Sequence, residues 1–479
     1  MADEYEQYDD EQVYDSQGHD VLQSILMRAP SWLGSAIVHA VIILVLFQIP
    51  WDAGKVDKPP VTVDLTTLIE EIEEIEEPER PDIPEEPEIT DQRLPEQDVT
   101  FVPDVEMEQL EMDVPGFNEL EPDEDPPLAI AKLALGDQGA AGHFHGVYGS
   151  RGGRGRRKSL LRFGGSRRSE KAVLDALGWL ARAQEDDGHW DSKRWGASGN
   201  VDAAVTGLAL LAFLGHGETD MDGKYKRNVY KALQWLKKYQ APNGSFKARF
   251  YTQGICTMGV SEAYGMTRRW GTMAQKAVTF CVENQNPQGG WDYGGNNPGR
   301  IDTSVSGWVM MGVKSGVASG LNVPPQAIER MKNWLKTSTN ADYSTGYSYA
   351  PGGRSGGGTG PMTAVGVLGK LFMGWRNDHA AVVGGLKYLK AKGVTLNNMY
   401  YTYYATLAMF QGGGEFWNDW NKKFRDPLIE KQVKGRGLEF DGSWDPQGIT
   451  YGGQGGRVYT TAMSVFCLEI YYRFLPVLK

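Results

Sequence analysis

The chain has 479 residues, with 61 acidic and 49 basic side chains and a net charge of -12. This length holds one large domain with appendages, or two to three ordinary domains. Cys256, Cys281 and Cys467 stand far apart in apolar stretches, which excludes a disulfide framework or a zinc knuckle and reads as three buried thiols.

The charge is unevenly spread, so the pI averages over unlike modules. Residues 1–31 form an acidic tail, with eight acidic residues against Arg28 alone up to Pro30. Residues 32–51, WLGSAIVHAVIILVLFQIPW, carry no formal charge and are long enough to cross a bilayer as one helix. Trp32 and Trp51 stand where interfacial aromatics are expected. A cleaved signal peptide is the rival reading; the long apolar core and the acidic leader weigh against it. Residues 52–128 follow as an acidic, proline-rich tether, with 25 acidic residues against Arg80 and Arg93 between Asp64 and Asp125. Self-repulsion and proline keep such a segment extended and unfolded.

Ser35 and His39 lie at i and i+4, on one face of the span, and a histidine at membrane depth is a functional candidate. A span bearing Ser-x-x-x-His, then a Pro/Glu-rich spacer, resembles the N-terminal part of TonB-type energy transducers. That resemblance does not extend to a TonB C-terminal domain. It implies an inner (cytoplasmic) membrane location, with residues 1–31 cytoplasmic and the C-terminal domain periplasmic. It also implies ExbB/ExbD-like motor proteins as partners. The plainer alternative gives His39 a role in a helix–helix contact. Arg28 on one side and Lys55 and Lys58 on the other leave the positive-inside rule little to decide.

Residues 129–168 form a Gly/Arg-rich basic linker, expected to be flexible, with eight basic and no acidic residues from Arg151 to Arg168. It reads as a solvated connection, or as a contact for lipid headgroups or the chain's own acidic tether. Arg–Gly segments can bind nucleic acid, but the expected far-side location argues against that. His143 and His145 are poorly spaced for a metal, and none is expected there.

Trp179, Gln184, Gly188 and Trp190 set a pattern of aromatic-apolar-x3-Gln-x3-Gly-x-aromatic. It returns at Trp235, Gln240, Gly244 and Phe246, and again at Phe280, Gln285, Gly289 and Trp291. A repeat of this kind marks a stacked supersecondary unit. Each copy follows an amphipathic segment and precedes a nearly all-apolar one. Such apolar segments begin at Val201, Tyr251, Asp302, Pro361, Met399 and Val458. Helices apolar around their whole circumference are buried, and these are too short to be further spans. Repeats four and five lack the Gln, and the sixth is blurred between Trp417 and Val433, ending at Gly442-Ser443-Trp444. The reading is all-α: an (α/α)6 toroid of six helical hairpin repeats over residues 169–479, preceded by one transmembrane helix and a disordered tether.

The pattern resembles the QW repeat of the terpenoid cyclase and protein prenyltransferase superfamily, squalene cyclase-like proteins included. The resemblance implies that the Gln and the aromatics fasten successive hairpins. From the residues themselves, the amides can satisfy backbone groups at helix ends and the aromatics supply flat surface between repeats. Their role is structural.

The superfamily's chemistry is harder to find. The toroid lacks the Asp-x-Asp-Asp acid of squalene-type cyclases, an Asp-Asp-x-x-Asp magnesium motif and the thioester Cys-Gly-Glu-Gln of complement-type toroids. Where the resemblance to prenyltransferases would place zinc ligands, Asp302 fits the carboxylate. Ser304 and Thr460 stand for the Cys and the His, and both are poor zinc ligands. No metal and no cofactor is expected. Three Gly-rich loops, residues 289–304, 347–363 and 443–461, are expected to face one mouth. They offer Asp292, Tyr293, Arg300, Asp302, Tyr347, Tyr349, Arg354, Tyr451, Arg457 and Tyr459 as binding candidates, with Trp308, Tyr401, Tyr403 and Tyr404 as cavity lining. The same residues also read as a helix cap at Asp302 and as core aromatics. Asp302 and Asp202 are the candidates for a divergent acid.

Together these features point to a membrane-anchored, prenyltransferase/squalene cyclase-like repeat protein, non-catalytic or divergent. It would bind an apolar or lipid-like ligand, isoprenoids included, or a protein partner, at the toroid mouth. The alternative is a divergent terpenoid- or lipid-modifying enzyme of the cyclase or transferase class.

Overall fold

A computed structural model describes residues 146–297, 299–346, 357–435, 437 and 439–474, all within the compact unit Glu111–Lys479. The expected tail, span and tether, with Ser35 and His39, lie outside the described residues, as do Tyr347, Tyr349 and Arg354. Among the described residues no helix is long and apolar enough to cross a membrane. The only extended pairings among them are isolated bridges.

A 3-10 turn (Gly146–Arg151) and α1 (Gly153–Arg162) come first. Two kinds of helix then alternate. The first kind buries one stripe and exposes the rest: α2 (Arg167–Ala183), α4 (Lys226–Tyr239), α6 (Gly271–Glu283), α8 (Pro325–Thr337), α10 (Ala380–Lys392) and α12 (Gly414–Glu430). In α4 that stripe is Val229, Ala232, Leu233 and Leu236, the i, i+3, i+4, i+7 spacing of a single face. The second kind is buried nearly all round: α3 (Asp202–His216), α5 (Phe250–Thr267), α7 (Thr303–Ala318), α9 (Gly360–Phe372), α11 (Met399–Gly412) and α13 (Gly452–Leu468), followed by the short α14 (Ile470–Arg473). The buried helices form a closed inner ring: α3 packs on α5, and so on through α7, α9, α11 and α13, which returns to α3. The described part of the chain is thus an all-helical α/α toroid, as its alternation of apolar and amphipathic segments predicts.

The repeated glutamines span neighbouring hairpins. The side-chain amide of Gln184 donates to the carbonyls of Gly188 (2.8 Å) and Asn228 (3.0 Å). Gln240 does the same with Gly244 and Met273, and Gln285 with Gly289 and Ala327. Each amide therefore ties its own turn to a carbonyl in the first turn of the next outer helix. The blurred last repeat has such a residue as well. Gln432 donates to Gly442 O (2.9 Å) and to Ala172 O (2.8 Å) in α2. The indole N–H groups of Trp190, Trp291 and Trp444 close each turn onto a carbonyl of the preceding outer helix, at Leu180, Cys281 and Leu428.

One expected boundary moves. The basic segment expected to be a flexible linker up to 168 is helical and packed from Gly146 on, and Arg151 within it is only 1% exposed. Composition alone reads eight basic residues as solvated. Here the ring supplies buried acceptors that the local sequence does not reveal.

Candidate functional site

A cavity of about 680 Å³ opens at the N-terminal ends of α3, α5, α7, α11 and α13. Its apolar base comprises Leu208, Ile255 and Trp308, and its walls carry Tyr239, Tyr251, Tyr293, Tyr400 and Tyr459. Tyr251 and Tyr293 stack at 6.0 Å between ring centroids, and the hydroxyl of Tyr400 donates to Ser304 O (3.1 Å). Burial pushes the hydroxyls of Tyr251, Tyr293, Tyr400 and Tyr459 above the ordinary phenol range, so all four remain protonated donors at neutral pH. Lys247 and Arg249 line the same cavity from an exposed loop. Their cationic groups lie over the rings of Tyr239 (5.6 Å) and Tyr293 (5.8 Å).

The two acid candidates separate. Asp202 lines the cavity, and its Oδ1 accepts from the backbone N–H (2.9 Å) and the hydroxyl (2.7 Å) of Ser192. It is the only carboxylate among the described lining residues. Asp302 does not line the cavity. Its Oδ1 caps α7 by accepting from the N–H groups of Ser304 and Val305 and from the Ser304 hydroxyl. Its Oδ2 lies 3.4 Å from Arg300. A buried cap already saturated by backbone donors is poorly placed to exchange a proton with a ligand, so Asp302 holds the fold.

The other binding candidates divide the same way. Arg300 bridges Asp302 and Asp292 (3.3 Å), and this pinned loop presents Tyr293 to the cavity. Arg457 pairs with Asp445 (3.0 Å), donates to Ser443 Oγ and covers the Phe440 ring at 4.4 Å. It braces the last loop, outside the lining. Tyr403 lies beneath the cavity, stacked on Trp308 at 5.8 Å, while Tyr401 turns outward to donate to Gly393 O. Of the tyrosines clustered at the start of α11, Tyr400 faces the cavity, one residue before those singled out by sequence. Tyr239, Lys247, Arg249 and Tyr251 are further lining residues missed by sequence. The available signal was their place at the end of α4, at the start of α5 and in the loop between, around the Gln240 turn.

No group of three or more His, Cys, Asp or Glu side chains that could hold a metal occurs among the described residues. The three cysteines are free and buried, and burial pushes the Cys281 thiol up to about 12.

The opposite end of the ring is sealed by buried charge. Glu262 lies 2.7 Å from Arg151 and 3.3 Å from Arg473, and Arg473 lies 3.0 Å from Glu469. Gly215 permits this packing: a Cβ there would meet Glu469 Oε2 at 2.0 Å. Burial raises Glu262, but the two guanidinium groups outweigh it and hold the carboxyl below the usual range. For Glu469 burial wins over Arg473, and its carboxyl is pushed up to about 8. A carboxyl raised in the folded state contributes stability in full below its unfolded value and loses it as pH rises through the folded one. Glu469→Gln should therefore match the natural chain near pH 4.5 and exceed it above pH 8, by on the order of 5 kcal/mol. Urea midpoints of both proteins at pH 5, 7 and 9 measure the gap; a gap that does not widen with pH contradicts the assignment.

No protein-family model matches the chain, and no curated relative does. Among solved structures it is similar to cellobiose 2-epimerase from Bacillus thermoamylovorans, with a TM-score of 0.50 and 12% identity over 66% of this chain and 100% of that one. At that identity the likeness shows the fold alone. It is also similar to an α-1,6-mannanase from a Salegentibacter species (TM-score 0.49, 10% identity, 64% of this chain and 99% of that one). A third is the type II terpene cyclase MstE from Scytonema in complex with geranylgeranyl dihydroxybenzoate (TM-score 0.45, 14% identity, 67% and 99%).

Proposed function

We propose that this protein is a membrane-tethered receptor whose toroid, read as six helical hairpins, holds one amphipathic small molecule of the lipid or isoprenoid class. The observation that carries this reading is the composition of the cavity: an apolar base at Trp308, Leu208 and Ile255, with polar tyrosines and two cations toward the opening. Its volume is that of a small-molecule site. The mouth also favours a negatively charged end. α3 and α5 carry no side-chain cap at their N-termini, whereas Asp302, Thr359 and Asn398 cap α7, α9 and α11. Beyond the first N–H of each, which bonds Asn200 Oδ1 in α3 and Tyr293 O in α5, the remaining first-turn N–H groups and the positive end of the α5 dipole suit an anion. In this reading residues 32–51 anchor the chain in the inner membrane, residues 52–128 place the toroid in the periplasm, and Ser35 and His39 meet an ExbB/ExbD-like motor.

Native mass spectrometry of the full-length chain, released from membranes in polymer nanodiscs, tests it. One retained lipid or isoprenoid molecule per chain is expected, and Trp308→Ala should lower its occupancy at least ~10-fold by removing the base of the site. An empty toroid that also ignores added farnesyl phosphate would sink the reading. Asp202 supports the second reading, a divergent lipid-modifying enzyme, because it places a carboxylate beside any bound molecule. If Asp202→Asn keeps ligand occupancy but abolishes a chemical change in that ligand, the enzyme reading replaces the receptor.

A further inference from the structure

The C-terminal ends of the inner helices surround a second polar site, on the far side of the ring from the cavity, and the chain itself fills it. Arg151 sits there almost without solvent contact. Its Nη1 donates to Glu262 Oε2 (2.7 Å) and to Leu214 O (3.3 Å), and its Nε donates to Arg473 O (3.2 Å). The Tyr148 ring packs against the guanidinium at 4.7 Å. We propose that this end of the toroid is an arginine-binding site, and that Arg151 is its releasable ligand. The segment Gly146–Arg162 then docks and undocks as a unit while the ring stays folded.

The acceptors all lie outside the segment, on α3, α5 and α14, and their arrangement suits a planar fork of N–H donors better than a point-like ammonium. Helix C-termini, such as the Leu214 carbonyl near the end of α3, add negative potential to the site. More decisive is what Arg151 would leave behind. Removing one partner of a buried ion pair normally strands the other charge, at high cost. Here Arg473 approaches the same Glu262 oxygen at 3.3 Å and holds Glu469 at 3.0 Å on its other side. The ring therefore keeps a complete Glu262–Arg473–Glu469 set of its own. Arg151 is a second guanidinium on a carboxylate that already has one.

The segment is built to come away. Tyr148 and Leu160 are its only buried apolar residues among those described. The rest of its attachment is polar: Ser150 Oγ donates to Tyr472 O (2.8 Å), and Arg156 reaches His216 O (2.6 Å) and Glu170 (3.1 Å). Few buried apolar contacts place a segment at the low end of local stability.

Undocking would be felt at the cavity. Arg473 lies 4.7 Å over the Phe466 ring, Phe466 packs on Tyr403 at 5.3 Å, and Tyr403 stacks on Trp308 in the cavity base. One column of side chains thus joins the two ends of the ring. The arginine site stands whether or not the cavity binds a lipid.

Chemical rescue in the full-length chain tests the proposal. Arg151→Ala should keep its helical content and lose on the order of 5 °C in thermal midpoint. About 10 mM ethylguanidinium should restore a substantial part of that loss, while ethylammonium or potassium chloride at equal concentration should not. Equal effects of ethylguanidinium and ethylammonium, or no loss on substitution, would overturn the site. Hydrogen exchange of the unsubstituted chain tests release without any variant. Amides of 148–162 should exchange together, at least ~10-fold faster than those of α5 and α13. Exchange at the α5 rate, or collapse of the whole ring in Arg151→Ala, would show a fixed part of the core and overturn release.

Discussion

Gly289→Ala is expected to destabilise the toroid by about 3–5 kcal/mol, although it adds a single methyl group. Gly289 has a φ of +107°, a region that side-chain-bearing residues rarely occupy, and an ideal Cβ would stand 1.8 Å from the Arg330 carbonyl oxygen. That oxygen belongs to α8, so the clash cannot be relieved by turning a flexible side chain. It would push the next outer helix away and break the Gln285 bridge to Ala327. The same geometry recurs at Gly188, Gly244 and Gly442, whose added Cβ atoms would meet the carbonyls of Lys231, Lys276 and Asp175 at 2.1–2.3 Å. Gly294→Ala is the matched control, since nothing lies within 4 Å of its Cβ position and its φ is not positive. Denaturant midpoints of the two variants should differ widely; similar midpoints would mean that the interhelical contact at Gly289 yields easily.

The second large effect is expected from Glu262→Gln, which keeps the shape of the side chain and removes its charge. Arg151 and Arg473 would then face each other in the sealed end without the carboxylate they share. Loss of one partner from such a buried set costs about 3–5 kcal/mol. The pH dependence identifies the cause. Because Glu262 is held below the ordinary glutamate range, its contribution is complete above its unfolded value and lost only as pH falls through the lowered folded one. The gap between the natural chain and Glu262→Gln should therefore stay level from pH 6 to 9 and close in acid. A gap that shrinks toward pH 9 would point to another group. Arg151→Ala should cost less than Glu262→Gln, because Arg473 remains.

The architecture was legible because two periodicities speak plainly in the sequence. Segments such as DAAVTGLALLAFLGH are apolar all round, while their neighbours carry one stripe, and that contrast assigns inner and outer positions without any contact information. The glutamine pattern was legible only where the Gln and Gly lie four residues apart. Gln432 performs the same task with Gly442 ten residues on, because a longer turn returns to the same point in space; fixed spacing does not find it. At the cavity, the choice among Tyr400, Tyr401, Tyr403 and Tyr404 depends on helix rotation, which four aromatic residues within five positions cannot reveal. Asp302 was ambiguous for a different reason: capping and acid catalysis ask for the same residue type at the same helix end. Arg151 was illegible, since its acceptors come from Leu214, Glu262 and Arg473, far away in the chain.

The Gln432 bond to Ala172 has a consequence for how this body comes apart. An open array of stacked repeats has two outermost units, each with a neighbour on one side only, and it frays from there. Here the last hairpin is clasped to the first, so no unit is outermost and no fraying front exists. Loss of any one hairpin opens the circle and withdraws a neighbour from both sides at once. Unfolding should accordingly be a single event shared by the whole ring.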